Sequence, residues 1–341
     1  MTLPLDKDYR PMEAQPAPEL PVGPEWQYEP KWDGFRCLVF RDRTRIDLQS
    51  KAGKPLTRYF PELVRAFYEL GVSKFVLDGE IVIPVGGSLS FDHLLMRIHP
   101  AASRIQRLSQ ETPAVFVVFD LLVDDRGKSW VKEPLQERRA ELERFARRHL
   151  KGNDTVRLSP ATKDLSVAKK WFAMGIALDG VVAKRRDFAY QSGERNGMRK
   201  IKKQRTADCV VGGFRYLEQK PLVGSLLLGL YNKAGELDHV GFTSSIPEKE
   251  RPALTQRLKK FIAPPGFTGK APGGPSRWST KRSTEWEPLG PNLVVEVQFD
   301  HFTGGRFRHG TKFLRWRPDK APQQCTIEQV KRENRSALNL L

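Results

Sequence analysis

Apolar and polar residues alternate in two distinct patterns along the first part of the chain. Short apolar runs, typical of buried strands, occur as RCLVF (36–40), KFVLDGEIVIP (74–84), AVFVVFDLLV (114–123) and LDGVVAKRR (178–186). Apolar residues at helical spacing predict helices in PELVRAFYEL (61–70) and LQERRAELERFARRHL (135–150). Most arginines of the second helix are expected on a solvated face, paired with glutamates one turn away. The Pro-rich residues before Trp26 predict an extended lead-in on the surface.

The pattern changes near Ala207, where strands follow one another closely. They are predicted in ADCVVGGFRY (207–216), GSLLLGLYN (224–232), LDHVGFTS (237–244), LVVEVQFDHF (293–302) and FLRWRP (313–318), with one helix in 247–262. Five short strands and a helix suit a small barrel of the OB type. We therefore predict an α+β protein with two domains, residues 1–206 and residues 207–341.

The composition indicates what class of molecule the protein binds. The chain of 341 residues has 58 Lys and Arg against 40 Asp and Glu, a net charge of +18 spread over its whole length. Such a charge favours a polyanion such as nucleic acid. The Gly-, Pro- and Lys/Arg-rich segment 264–288 is either a simple connector or a DNA-contacting loop.

The cysteines and the apolar runs indicate the cellular compartment of the protein. The three cysteines are far apart and lack any Cys-x-x-Cys spacing, so the sequence indicates neither a disulfide framework nor a zinc site. We find no export signal and no apolar run of membrane-spanning length. These observations predict a cytoplasmic protein without a membrane partner.

Several segments combine the groups that phosphorus chemistry requires. A lysine attacks phosphorus only as the free amine, so such a site is expected to lower the lysine pKa through neighbouring cations or desolvation. Lys31 lies within EPKWDGFR (29–36), and LDGE (77–80) and LDGVVAK (178–184) place acids at the ends of buried strands. In RKIKK (199–203), strand alternation would direct Lys200 and Lys202 to one face and the intervening isoleucine to the core. A solvated basic edge strand is the alternative for this run.

Taken in order, EPKWDGFR, LDGE, FVVFD, DGVVAK, RKIKK and RWRPDK resemble the six signature motifs of the covalent nucleotidyltransferases. The closest resemblance is to the ATP-dependent DNA ligases of the compact bacterial type, the LigC class, which is similar to the ligase module of the bacterial end-joining ligase. It covers essentially the whole chain. The resemblance implies an adenylation (nucleotidyltransferase) domain of antiparallel sheets and flanking helices, followed by an OB-fold barrel.

The resemblance also assigns roles within the adenylation domain. It makes Lys31 the nucleophile that takes AMP, assisted by Asp33, and makes Glu29 the acceptor for the exocyclic amine of adenine. The other residues that it places around the nucleotide and its phosphates are Arg36, Lys51, Glu80, Phe119, Lys184, Arg195, Lys200 and Lys202. The implied metal ligands are Asp33, Glu80 and Asp179. In the barrel domain, Arg315, Arg317, Asp319 and Lys320 match the motif that orients the pyrophosphate leaving group.

Three positions depart from the family pattern. Asp179 stands where the family usually has glutamate, which shortens a metal ligand by one methylene. Lys51 stands where a nick-contacting arginine is common. A lysine offers the phosphate a single point charge in place of the bidentate contact of an arginine. Met198 replaces the usual tryptophan before the lysine pair, which is a change in packing.

The implied function is the sealing of nicks in duplex DNA in a repair pathway, with ATP as the nucleotide and Mg²⁺ or Mn²⁺ as the metal. We expect a nucleoid-associated monomer, with a repair polymerase or a DNA end-binding protein as candidate partners. An RNA ligase and a capping-type guanylyltransferase are the enzymatic alternatives. A catalytically inert nick-binding protein is the alternative from another class.

Overall fold

The computed structural model describes residues 3–174, 178–202, 205–273, 285–330 and 340. These residues fall into two compact units, the first comprising 3–202 with Leu340 and the second 205–330. The predicted division into domains 1–206 and 207–341 stays a prediction, because a compact unit is not by itself an independently folding domain. Within the predicted loop 264–288, residues 274–284 lie outside the described residues.

The first unit is a mixture of strands and helices, as the apolar patterns predict. Its strands are β1 (Gln15–Pro16), β2 (Trp26–Lys31), β3 (Phe35–Asp42), β4 (Arg45–Ser50), β5 (Lys74–Val82), β6 (Pro84–Val85), β7 (Ser88–Leu89), β8 (Val115–Val123), β9 (Val156–Leu158), β10 (Gly180–Arg185) and β11 (Met198–Ile201). Its α-helices are α1 (Pro61–Glu69), α2 (Phe91–Arg97), α3 (Ala102–Glu111), α4 (Leu135–His149) and α5 (Leu165–Ala173), with a 3₁₀ turn at Thr57–Tyr59.

The larger strands of the first unit form two sheets. One has the strand order β1-β11-β10-β2 and the other β4-β3-β5-β8-β9. Neighbouring strands are antiparallel, except that β1 pairs parallel to β11 and β8 parallel to β9. β2 and β3 follow each other in the chain but belong to different sheets. The turn 32–34 therefore carries the chain from one sheet to the other.

An aromatic core supports the five-stranded sheet. Helix α1 starts with Pro61, whose fixed φ suits the first turn, and it buries Leu63 and Phe67 on one face at helical spacing. The Phe67 ring meets Phe116 of β8 edge to face, with ring centroids 5.2 Å apart. Phe145 of α4 also belongs to this core. The predicted strands and helices of this region are confirmed.

Helix α4 carries two of its arginines inward. Arg144, Arg147 and Arg148 are exposed, as predicted for most of the set, whereas Arg138 and Arg139 are buried. Arg138 donates through Nε and Nη2 to both carboxylate oxygens of Asp120, each at 2.9 Å. The solvated face predicted for most of these arginines is therefore found. Arg138 is buried because Asp120 at the end of FVVFD supplies a buried partner, and Arg139 donates to Glu143 one turn away and to the carbonyl oxygen of Ser159.

The second unit is built mainly from strands. They are β12 (Arg205–Leu217), β13 (Lys220–Tyr231), β14 (Leu237–Thr243), β15 (Glu287–Pro288), β16 (Val294–Phe299), β17 (Phe302–Thr303), β18 (Arg306–Phe307) and β19 (Lys312–Trp316). One α-helix, α6 (Arg251–Lys259), and 3₁₀ turns at Glu248–Glu250, Pro322–Gln324 and Ile327–Val330 complete the described elements.

Five of these strands follow the order β14-β13-β12-β16-β19. A bridge between Thr243, the last residue of β14, and Thr311, directly before β19, links the two ends of this path. Linking the ends closes the sheet into a barrel, whose interior is filled by residues such as Val211, Leu228 and Val295. The predicted α+β class with an OB-type barrel is confirmed. Among the helices of the described ranges, none has the length and apolar character needed to cross a membrane.

We predict that Arg138→Ala lowers the free energy of unfolding by about 3–5 kcal/mol, because it leaves the buried Asp120 carboxylate without its counter-ion. Urea titration followed by circular dichroism measures the change. Arg147→Ala, an exposed arginine on the same helix, is the matched control and is expected to stay within about 0.5 kcal/mol of the parent. Equal, small effects of both substitutions would show that the buried pair contributes nothing to stability.

Candidate active site

A pocket of about 190 Å³ lies in the first unit, lined by residues from both of its large sheets. Of the residues predicted for the site, the pocket wall contains Glu29, Lys31, Arg36, Lys51, Glu80, Phe119, Lys184 and Lys200. The two sheets thus bring together segments that are far apart in sequence. Pro11, Met12, Glu13 and Ala14 also line the pocket, so the lead-in predicted to lie on the surface is part of the site.

The four-stranded sheet contributes one wall through the register of its strands. Lys31 on β2 lies opposite Gly180 on β10, and Val182 on β10 lies between Glu29 on β2 and Lys200 on β11. Side chains alternate along a strand, and alternate residues of β10 and β11 line the pocket, namely Val182 and Lys184 on β10 and Met198 and Lys200 on β11. Ile201 is buried, as the alternation in RKIKK predicts.

Two motif glycines allow backbone segments of the two sheets to approach their neighbours closely. Gly180 has φ +139°, and a Cβ there would lie 2.0 Å from the carbonyl oxygen of Ile201. A Cβ on Gly34, in the turn after Lys31, would lie 2.1 Å from the carbonyl oxygen of Ile81. Backbone stands where a side chain would be, so only glycine fits at either position without a shift of the strands.

The Lys31 ammonium contacts the Asp179 carboxylate, which also pairs with Lys202 at 3.2 Å. Burial lowers the pKa of Lys31, but the charge of Asp179, with smaller effects of Glu80 and Asp33, outweighs burial and raises the pKa above its ordinary value. The expectation that the site lowers the pKa of this lysine is therefore wrong for the arrangement seen here.

The pKa of Lys200, by contrast, is lowered. Burial has the largest effect, followed by the positive charges of Lys31, Lys202, Lys51 and Arg195. Within the ranges that the structure describes, Lys200 forms no ion pair. Five cations from three segments therefore share one neighbourhood, which is the electrostatic requirement for binding several phosphate groups.

The five-stranded sheet supplies the opposite wall. Arg36 on β3 pairs across the ladder with Glu80 on β5. Strand β8 has a register shift against β5 at Phe119. Asp78 pairs with Asp120 and Gly79 pairs with Val118, so Phe119 is the extra residue of β8 between these two pairs. A bulge of this kind redirects a side chain. Phe119 lines the pocket, whereas Phe116 belongs to the aromatic core, as predicted for this pair.

Two cations lie over the Phe119 ring. The guanidinium carbon of Arg36 is 4.3 Å and the Nζ of Lys184 is 4.5 Å from the ring centroid. Lys184 also forms a buried ion pair with Glu29 at 2.7 Å, and Gln27 donates to the other oxygen of Glu29 at 2.9 Å. The aromatic ring and the acid predicted to contact the base are thus held by one shared lysine.

Arg36 is held in place by residues that sequence reasoning missed. Its Nε and Nη2 each donate to the fully buried Asp78 at 2.6 Å. The hydroxyl of Tyr190 donates to Asp78 at 2.6 Å and accepts from the backbone N–H of Met12 at 3.0 Å. Asp78 was within reach of sequence reasoning, because a buried acid in LDGE needs a partner. Tyr190 carries no comparable signal in the sequence.

Glu80 is a carboxylate of the site whose pKa is shifted by its surroundings. Burial has the largest effect and raises the pKa of Glu80 to about 7, although the positive charges of Arg36 and Lys31 oppose this shift. No ion pair of Glu80 occurs among the described residues. Asp33 lies close enough to Lys31 to raise its pKa, which places a second predicted metal ligand in the same neighbourhood.

The remaining predicted residues lie partly next to the pocket and partly in the second unit. Arg195 and Lys51 both pair with Glu13, a lining residue that sequence reasoning missed. In the second unit, Arg317 pairs with Asp208 and Asp319 at 2.8 Å each. The other members of this surface network are Arg315, which pairs with Glu296, and Lys320, which pairs with Asp208. Their predicted action on the pyrophosphate stays a prediction.

Comparison with known proteins shows the family to which the two units are similar. The sequence profile of the ATP dependent DNA ligase domain matches residues 11–202, and that of the ATP dependent DNA ligase C terminal region matches residues 219–320. DNA ligase C2 of Mycolicibacterium smegmatis is 42% identical over 349 residues, which cover 97% of this chain and 96% of that protein. DNA ligase C of Mycobacterium tuberculosis is 40% identical over 350 residues, with the same coverage.

A solved structure of a Lig E DNA ligase shares the fold, with a TM-score of 0.55 and 17% identity over 89% of this chain and 99% of that one. The two sequence profiles match the chain in the order in which the two units occur. Two relatives of at least 40% identity align over nearly their full length. The resemblance seen in the six motifs is confirmed, and the chain belongs to the ATP-dependent DNA ligases.

Proposed function

We propose that this chain seals nicks in duplex DNA by way of an AMP group carried on Lys31. The main support for the proposal is that Lys31, Glu80 and Lys200 line one pocket. It joins a nucleophile, a carboxylate and a phosphate-binding cation, the three kinds of group that nucleotidyl transfer to an amine requires.

In the first step, Lys31 gives up the proton that its contact with Asp179 retains, and the free amine attacks the α-phosphorus of ATP. A phosphorus–nitrogen bond forms, the bond to the β-phosphate oxygen breaks, and pyrophosphate leaves. Lys200 and Lys202 are proposed to stabilise the negative charge that collects on the phosphate oxygens. AMP then passes to the 5′-phosphate of a nick, and the adjacent 3′-hydroxyl displaces AMP and closes the phosphodiester.

Choice of adenine follows from Glu29 and Phe119. A carboxylate that accepts from the exocyclic amine of adenine meets an oxygen instead when guanine is bound, which disfavours GTP. The contacts of Glu29 with Lys184 and Gln27 support this role because they hold the acid in one orientation. The position of Phe119 at the pocket wall supports stacking on the base.

The donor groups of the pocket fit Mg²⁺ or Mn²⁺. Both ions prefer carboxylate oxygens, and Glu80 is a carboxylate at the pocket wall without an ion pair among the described residues. Asp33, Glu80 and Asp179 are the residues that would hold the ion. Such an ion neutralises charge on the phosphate oxygens during transfer.

Nicked duplex DNA is the proposed substrate, and repair the proposed setting. A net charge of +18 supports binding of a polyanion along much of the surface. In the second unit, Arg315, Arg317, Asp319 and Lys320 are proposed to orient pyrophosphate in the first step. A repair polymerase or an end-binding protein as partner, a monomeric state and a cytoplasmic, nucleoid-associated location complete the proposal.

We predict that the protein incubated with ATP and Mg²⁺ gains the mass of one AMP, and that Lys31→Ala abolishes this gain because it removes the only proposed nucleophile. Intact-mass spectrometry of the denatured protein measures the adduct. GTP in a parallel incubation is expected to give no adduct, since Glu29 disfavours guanine.

Lys54→Ala, an exposed lysine outside the pocket wall, is the matched control and should be adenylated like the parent. A GMP adduct in place of AMP would favour the capping-type enzyme. Absence of any adduct, in protein shown not to be adenylated beforehand, combined with retained binding to nicked DNA would favour the inert nick-binding protein.

We predict that Tyr190→Phe raises the ATP concentration needed for half-maximal adenylation and lowers the free energy of unfolding by about 1–3 kcal/mol. The reason is that Asp78 and the N–H of Met12 lose a buried partner, which loosens Arg36 at the pocket wall. Initial rates of adduct formation over a range of ATP concentrations measure the first effect. Tyr68→Phe, at an exposed tyrosine, is the control, and identical ATP dependence of the two variants would contradict the positioning role.

We predict that binding to nicked DNA weakens steeply with salt, by about 1,000-fold or more between 50 and 200 mM if six or more phosphates are neutralised. Fluorescence anisotropy of a labelled nicked duplex at several salt concentrations gives the slope. A slope corresponding to one or two phosphates would show that the positive charge of the chain does not serve DNA binding.

A further inference from the structure

Glu13 places a negative charge in a pocket that is otherwise suited to phosphates. Its Oε2 pairs with Nζ of Lys51 at 2.9 Å and with Nη2 of Arg195 at 3.0 Å. Glu13 and Lys51 both line the pocket. Both cations are among those that lower the pKa of Lys200, so the three basic side chains are neighbours. One carboxylate thus lies where two phosphate-binding cations converge.

The backbone around Glu13 is fixed, so this position is a property of the fold. The N–H of Glu13 donates to the carbonyl oxygen of Glu194 at 2.8 Å, and the preceding N–H, of Met12, donates to the hydroxyl of Tyr190. Two residues later, β1 pairs with β11 next to Lys200. The carboxylate is therefore carried to the pocket by a segment that is attached on both sides.

The charge state of Glu13 agrees with this placement. Burial has the largest single effect and acts to raise its pKa, but Lys51 and Arg195 together bring the pKa below its ordinary value. The group is therefore ionised at neutral pH. It presents to the two cations the same kind of charged oxygen acceptor that a phosphate presents.

We infer that Glu13 is a built-in counter-anion that occupies a phosphate position between Lys51 and Arg195, and that an incoming phosphate group displaces it. This inference rests on the proposed function, because it takes the pocket to bind phosphates. It makes Glu13 a positioning residue that lowers phosphate affinity and keeps two like charges together until the substrate arrives.

The exposure of the partners explains why displacement is feasible. The side chains of Lys51 and Arg195 are 53% and 60% exposed. Ion pairs of this kind are weak because solvent screens them. A phosphate carries more charge and more acceptor oxygens than a carboxylate, so it competes well for both cations. By contrast, the Asp179 side chain that pairs with Lys31 is only 7% exposed.

Two phosphates of the reaction could take this position, the triphosphate of ATP and the 5′-phosphate of the nick. The test therefore has two arms, both comparing Glu13→Gln with the parent. The first measures initial rates of Lys31 adenylation over a range of ATP concentrations. The second measures binding of the adenylated protein to nicked duplexes that carry either a 5′-phosphate or a 5′-hydroxyl.

We expect Glu13→Gln to bind phosphate about threefold to tenfold more tightly in one of the two arms, the range expected when one or two exposed ion pairs no longer compete. A lower half-maximal ATP concentration identifies the triphosphate as the ligand. Tighter binding that is confined to the 5′-phosphate nick identifies the nick. Glu194→Gln, at an exposed glutamate in the adjacent segment, removes the same charge outside the ion pairs and should change neither arm. Glu13→Asp retains the charge and should restore parental behaviour.

Other outcomes would overturn the inference. Weaker phosphate binding by Glu13→Gln would mean that Glu13 only orients Lys51 and Arg195. Equal tightening on 5′-phosphate and 5′-hydroxyl nicks, or tightening by Glu194→Gln as well, would mean a general effect of net charge. No change in either arm would also contradict displacement. A parent protein that forms no AMP adduct would instead contradict the proposed function, so the two failures are distinguishable.

Discussion

The central place of β10 between β2 and β11 is the constraint on which the pocket depends. This pairing sets Lys31 opposite Gly180, brings the Asp179 carboxylate into contact with the lysine, and places Lys200 across the neighbouring ladder. Lys31 thereby shares one face with two segments that lie well over a hundred residues further along the chain. The close approach at Gly180 leaves no space for a side chain, so the glycine is required by the same packing that creates the site.

Electrostatic balance is the second feature of the pocket. Five cations in one neighbourhood would repel one another, and two acids relieve this by pairing with two cations each. Asp179 does so in a largely buried position and Glu13 in a more exposed one. Lys200 has no such partner among the described residues, and burial together with the neighbouring positive charges lowers its pKa. The pocket is thus partly neutralised before any phosphate enters.

Rigid support comes from buried polar contacts behind the pocket wall. Asp78 accepts hydrogen bonds from Nε and Nη2 of Arg36 and from the hydroxyl of Tyr190. Asp120 accepts from Nε and Nη2 of Arg138 in helix α4. Leaving any of these buried groups unpaired costs free energy, which keeps the arrangement in one conformation. Arg36 is therefore presented to the pocket in a fixed orientation, as binding of a small charged ligand requires.

The sequence by itself determined the class of elements, the motif residues and the alternation in RKIKK, because these depend on local periodicity and on residue chemistry. Only the tertiary structure decided which acid each cation meets. The raised pKa of Lys31 follows from Asp179, which lies 148 positions away along the chain. The contacts of Glu13 and Tyr190 follow from pairing between the lead-in and the segment before β11, which no local pattern encodes. Contacts between distant segments depend on strand order and register, and these are properties of the whole fold.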